Sequence, residues 1–230
     1  MTTTTFLALE FSTPLASVAV CHQNHVLASL EDSQPSPSER LWQQLHEVLH
    51  HSGKSLANLD AIAFGAGPGG FTGVRLACGI AQGLALSLKI PLFPVSTLEC
   101  LTLTVPPSRV VTLLDARMNQ VYLAAYDTTA DGWSCVLEPR LCGPHDLPDL
   151  PSGDWIGVGS GAELWHELLR QRWPHQWQGV IPGQVPHATQ IAQLARLRLE
   201  NGSDQGVEAR QAQPLYLRQR VALTRAERGK

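Results

Sequence analysis

The sequence predicts an α/β protein of two similar lobes, each with a mixed sheet and packed helices. Three observations carry that expectation. Short apolar and β-branched runs open the chain as a set of strands, and an amphipathic helical stretch follows them. The same order of elements begins again from Arg109. Between the halves stands Pro106-Pro107, a stiff pair that suits a linker and divides the chain into lobes at residues 1–105 and 106–230.

In the first half, Phe6 to Leu9, Ala16 to Cys21 and Val26 to Leu30 read as strands, the last two joined as a hairpin across His22 to His25. The Pro/Ser stretch Ser33 to Pro37 breaks that pattern. Ser38 is placed to cap a helix in which Leu41, Trp42, Leu45, Val48 and Leu49 recur at helical spacing up to a stop at Gly53. A short strand, Ala61 to Phe64, enters a glycine-dense segment from Gly65 to Gly73, and a long helical run continues from Val74 to Leu88. Leu92 to Val95 is a further strand, with a short helix from Thr97. The second half repeats the order with strands at Val110 to Leu114, Val121 to Tyr126, Ser134 to Leu141 and Trp155 to Val158. Helical patterns follow at Glu163 to Arg172 and Ile191 to Glu200.

At 230 residues, with 43% hydrophobic and 16% charged content, the chain can bury one sizeable core or two small ones. No apolar run approaches the roughly 20 residues of a membrane span, and Met1 to Thr5 lacks the basic start of a secretion signal, so a cytoplasmic location is expected. Cys21, Cys78, Cys100, Cys135 and Cys142 form no C-x-x-C pair and read as small buried hydrophobes. A net charge of -3 gives no overall basic field for a phosphate backbone, so contact with RNA is expected only through other subunits.

Several constellations carry possible chemistry. The glycine loop, with Gly67, Pro68, Gly69, Phe71, Thr72 and Gly73 at its centre, leads into a helix N-terminus; it suits either a phosphate or a tight strand-to-helix turn. It is neither a Walker loop nor a dinucleotide fingerprint. His46-Glu47-Val48-Leu49-His50 matches the H-E-x-x-H pattern of zinc metallopeptidases. On a helical wheel the apolar stripe centres near Leu45, with His46 and His50 roughly 100° and 140° away, so the pair borders the polar side. Asp115 and Arg117 close a strand: Asp115 could hold a metal-nucleotide at a cleft or pair with the arginine. Glu10, followed by Ser12 and Thr13, poses the same choice at the end of the first strand. Tyr216-Leu217-Arg218 begins a basic tail with Arg220, Arg225, Arg228 and Lys230, open either to solvent or to RNA or a partner.

The duplicated strand-strand-strand-helix order resembles the actin-like ATPase (ribonuclease H-like) superfamily, which directs attention to the interlobe cleft. Read together, GAGPGGFTGVRLACGIAQGLAL (Gly65 to Leu86), IPLFPVSTLECL (Ile90 to Leu101), LLDARMNQVYLAAY (Leu113 to Tyr126) and PLYLRQRVA (Pro214 to Ala222) resemble the TsaB family, also called YeaZ. The resemblance implies a non-catalytic subunit that supports the transferase TsaD. With the ATPase TsaE, that complex places threonylcarbamoyl on the adenosine beside the anticodon of tRNAs reading codons that begin with A. It implies no cofactor and no metal: a distantly related transferase carries two metal-binding histidines in a V-N-H-x-x-G-H segment, where this chain has Thr97 and Leu101. Two departures from the family pattern stand near the cleft, Glu10-Phe11-Ser12 in place of Asp-Thr-Ser and Gly70 in place of a serine. By the same resemblance the two first-lobe helices, through Leu41, Gln44, Leu45, Val48, Val74, Ala77, Cys78, Ala81 and Ala85, are expected to meet TsaD in a four-helix interface, or a second copy as a homodimer.

Overall fold

A computed structural model describes residues 4–33, 37–129 and 132–218. In chain order the elements of the first half are β1 (Thr5–Glu10), β2 (Ala16–His22), β3 (His25–Asp32), α1 (Pro37–Ser52), β4 (Ala61–Gly67), α2 (Phe71–Leu88), β5 (Leu92–Ser96) and α3 (Thr97–Cys100). Those of the second are β6 (Arg109–Arg117), β7 (Gln120–Thr129), β8 (Gly132–Cys142), β9 (Trp155–Val158), α4 (Ser160–Leu164), α5 (His166–Arg172), β10 (Trp177–Ile181) and α6 (Ala188–Glu200). The strands form two 5-stranded sheets with orders β3-β2-β1-β4-β5 and β8-β7-β6-β9-β10. In each, the first three strands are antiparallel and the last two run parallel to the first. This is the duplicated actin-like arrangement expected from the order of elements.

Strand alternation sorts each sheet into an outer and an inner face. Leu7 and Leu9 of β1 join the outer core with Leu41, Leu45, Ala77 and Ala81 of α1 and α2. Phe6 and Ala8 face inward with Phe93, Ile191 and Leu194. In the second lobe, Val111 and Leu113 look outward to Trp165 and Leu169, whereas Val110 and Leu114 look inward to Leu98 and Leu101.

The division at 105/106 does not survive as a packing boundary. Helix α6 follows β10 in sequence but lies on β1, β2 and β4 of the first sheet, and short α3 lies on β6 and β7 of the second. The Ala188 N–H at the start of α6 donates to the buried Ser17 Oγ of β2 at 2.9 Å. The chain then returns to the first lobe once more, pairing Val207 with Leu92 at the edge of β5.

Other differences from the sequence reading have local causes. The expected helix over Glu163 to Arg172 is two, α4 and α5, because the backbone breaks at Trp165 (φ -107, ψ 16), whose ring is buried. Strand β10 is short and partly exposed, so its sequence gives little signal. Cys135 is exposed, unlike the other four cysteines, because β8 is an edge strand. Helix α1 begins at Pro37, a residue suited to a first helical turn; the Ser38 side chain lies outside the described residues. Helix α2 is the one described helix long and apolar enough, by length and composition, to cross a membrane; here Val74, Ala77, Cys78, Ala81 and Ala85 bury one side of it on the sheet.

Candidate functional site

The end of β1 and the glycine segment that ends β4 and enters α2 pack against each other. Several glycines are required by that contact. A β-carbon at Gly65 would overlap the Glu10 carboxylate, one at Gly73 would overlap the Phe11 carbonyl oxygen, and one at Gly69 would collide with Ser12. The Gly70 N–H donates to the Ser12 carbonyl at 2.7 Å, so the amide at the α2 N-cap is already used. Gly67 has φ +93, a conformation that favours glycine, and the Gly67–Pro68 peptide is cis. Of the two readings of this loop, the tight turn accounts for these contacts, because the Glu10 carboxylate and the backbone of Phe11 and Ser12 fill the space the missing side chains leave.

Glu10 belongs to the inward face of β1 and has no exposure. Its Oε1 accepts the Ser12 N–H at 2.6 Å, while Oε2 has no hydrogen-bond partner among the described residues. Burial pushes the carboxyl up to about 7, against the opposing pull of the Ser12 N–H. The hydroxyls of Ser12 and Thr97 are also buried without hydrogen-bond partners among the described residues.

The structure does not make Asp115 a counterpart to Glu10. Asp115 takes the outward parity of Val111 and Leu113, and its carboxylate accepts the Arg117 N–H at 2.8 Å and pairs with the Arg117 guanidinium at 3.2 Å. The β6–β7 turn is tight, as the sequence indicates, with Arg117, Met118 and Asn119 all at positive φ (62, 55 and 54). Asp115 thus braces a strained turn.

Thr97 and Leu101, which stand where the related transferase has its histidines, are both fully buried. Leu101 lies in the inner core with Leu98 and Leu114, and its Cδ1 reaches to within 2.8 Å of where a β-carbon on Gly159 would sit. The H-E-x-x-H residues lie on α1 with His46 and His50 exposed, and Glu47 accepts from Gln43 Nε2 at 2.7 Å. Among the described residues no third His, Cys, Asp or Glu joins them to form a metal-sized cluster.

The expected interface residues point the wrong way for contact with another protein. Leu41, Leu45, Val48, Ala77, Cys78, Ala81 and Ala85 are buried in the lobe's own outer core, Val74 is buried as well, and Gln44 is only 8% exposed. Helical spacing identifies the apolar stripe, and that stripe covers the sheet. The faces of α1 and α2 turned to solvent instead carry Trp42, His46, Gly79, Gly83 and Leu86, with Trp42 63% and Leu86 75% exposed.

Two features escaped the sequence reading. Glu99, in α3, is buried and accepts Trp133 Nε1 of β8 at 2.6 Å while pairing with Arg198 of α6, which also reaches the Pro94 carbonyl. The pattern of charges gave no hint of it, since its members are separated by 34 and 99 positions. The second is the segment from Val207 to Arg218, which is hydrogen-bonded to Leu92, Ala66 and Ala116; Arg220, Arg225, Arg228 and Lys230 lie outside the described residues.

Comparisons with known proteins converge on this architecture. The family model for TsaD, the tRNA N6-adenosine threonylcarbamoyltransferase, matches residues 6–157. A crystal structure from Pseudomonas aeruginosa, described as an uncharacterized protein with similarity to peptidase YeaZ, superposes with TM-score 0.84 at 34% identity over 94% of this chain and 100% of that one. The tRNA threonylcarbamoyladenosine biosynthesis protein TsaB of Escherichia coli is 34% identical over 94% of this chain and 95% of its own, and that of Haemophilus influenzae is 30% identical over 94% of each. With its duplicated sheets, its glycine loop seated on β1 and this similarity along nearly the whole length, the chain belongs to the TsaB family.

Proposed function

We propose that this chain acts in tRNA threonylcarbamoyladenosine biosynthesis as a non-catalytic subunit that binds and supports a TsaD-type transferase. Full-length similarity to proteins named for that pathway supports the assignment. The observation that carries the non-catalytic part is the pair Thr97 and Leu101: a hydroxyl and an isobutyl group, both in the core, cannot replace two imidazoles as metal ligands. The transferred group goes to the adenosine beside the anticodon of tRNAs reading codons that begin with A, and the work is cytoplasmic. A TsaE-type ATPase completes the partner set.

The contact surface in this proposal is the solvent-facing side of α1 and α2, not the inward residues that sequence spacing selected. Trp42 and Leu86 supply exposed apolar anchors, and Gly79 and Gly83, with open space above them, permit a partner helix to approach closely. Without the transferase, the same face pairs two copies of the chain. The test is co-purification with the transferase, together with mass spectrometry of tRNA nucleosides from cells lacking this chain. Wild-type protein is expected to be captured, Trp42→Asp with Leu86→Asp is expected to stay folded but escape capture, and the modified nucleoside is expected to vanish on deletion. Normal modification in the deleted strain overturns the assignment; undiminished capture of the double variant overturns the surface.

A further inference from the structure

We propose that residues 207–218 form a strap that closes the mouth between the lobes and fixes their angle, joining them with the chain's own backbone as a bridging ligand would. The strap is anchored at successive points. Val207 exchanges two backbone hydrogen bonds with Leu92 at the edge of β5, at 2.7 and 2.9 Å. Ala212 is buried in the outer core of the first lobe, and its carbonyl accepts Gln82 Nε2 of α2 at 2.9 Å. The Leu215 N–H then donates to the Ala66 carbonyl inside the glycine segment at 2.8 Å, and the Leu215 carbonyl lies over Gly67. From there the chain crosses to the second lobe. Leu217 packs on the inner core of Leu98, Leu114 and Tyr122, and Arg218 Nη2 donates to the carbonyl of Ala116, near the end of β6, at 2.9 Å.

A side anchor ties the crossing to α2. Tyr216 Oη accepts Arg75 Nε at 2.8 Å, and the Arg75 guanidinium stacks 3.4 Å above the Phe71 ring centroid. The strap therefore touches the glycine loop, the first turns of α2 that follow it and the strained turn at residues 117–119. A segment with hydrogen bonds to both lobes resists their relative rotation, because opening the mouth breaks the Leu215 or the Arg218 contacts.

Amide hydrogen exchange of the isolated chain tests the assignment with three variants. A chain ending at Gln213 is expected to exchange faster over residues 65–75 and 113–122 while β1 and β2 keep their protection. A chain ending at Arg218 keeps the strap and is expected to match wild type in both regions. Full-length Arg218→Ala is expected to speed exchange over 113–122 on the order of tenfold, the worth of one charge-assisted hydrogen bond. If the Gln213 truncation loosens β1 and β2 as well, the Arg218→Ala result decides alone. Wild-type exchange in Arg218→Ala, or equal loosening in both truncations, overturns the strap.

Discussion

Replacing Glu10 with glutamine exchanges one oxygen for an NH2 group at a position without exposure, and the consequence depends on pH. Burial raises the folded carboxyl from its ordinary 4.5 to about 7, whereas the unfolded chain keeps the ordinary value. Between those pH values the folded state holds a proton that the unfolded state has released. Stability therefore falls as pH rises through that window, and the loss is complete above about pH 7. At about 1.4 kcal/mol per pH unit the full effect is about 3 kcal/mol. Glutamine keeps the acceptor for the Ser12 N–H but sets an unpaired NH2 against Gly65, a cost of about 1 kcal/mol at every pH. Because the wild type has already lost about 1 kcal/mol by pH 5, the variant is expected to match it closely there and to be about 2 kcal/mol more stable at pH 8. Urea unfolding at a series of pH values measures both profiles. Parallel curves from pH 5 to 8 would refute the reasoning, because they would mean that the folded carboxylate meets water or a counter-charge.

Glu99→Ala leaves Arg198 and the Trp133 N–H without their buried partner, with an expected loss of about 3 kcal/mol in thermal or denaturant unfolding; adding Arg198→Met is expected to recover most of it. Two glycine-to-alanine changes in α2 should carry opposite signs. Gly73→Ala forces a methyl into the Phe11 carbonyl and is expected to cost about 2 kcal/mol or more, whereas Gly79→Ala, in open space in mid-helix, is expected to gain about 0.5–1 kcal/mol while weakening capture by the transferase. Equal melting temperatures for the two variants would show that the loop does not need its glycines for packing on β1.

The strands and outer helices were legible because their signal is local. Leu7 and Leu9 alternate with Phe6 and Ala8, and Leu41, Leu45 and Val48 recur on one side of α1. What periodicity reveals is which face is apolar; it does not say whether that face covers a sheet or awaits a partner. The nine residues expected at an interface are buried in the chain itself, and an isolated helix with a stripe of Ala77, Ala81 and Ala85 reads the same in either case. The glycine loop was visible as a loop, but its occupant was not: Gly65 and Gly73 answer to Glu10 and Phe11, more than 50 positions earlier. The destination of α6 was equally hidden, because β-branched and helical patterns specify an element and leave open the sheet on which it lands. Strand β10 gave too little signal in five residues, one of them Gly179 at φ +121.

The exchange of helices explains why a duplicated molecule behaves as one body. Helix α6 covers the inner face of the first sheet on β1, β2 and β4, and short α3 lies between the sheets, touching β4 and β5 as well as β6 and β7. Residues 1–105 alone would expose Phe6, Ala8 and Phe93, whose cover is Ile191, Ala192 and Leu194. The Glu99–Arg198 pair joins these two exchanged helices directly, and Trp133 adds the edge of the second sheet to the same carboxylate. A buried charge pair contributes little net stability against an apolar substitute, but it tolerates few alternative placements, so its main effect is to fix how the helices sit. The inner faces are thereby committed to holding the lobes together, and the outer faces of α1 and α2 remain as the surface where Trp42 and Leu86 stand in water. In the supporting role proposed for this chain, a partner that covered Trp42 or Leu86 would remove that apolar exposure from water.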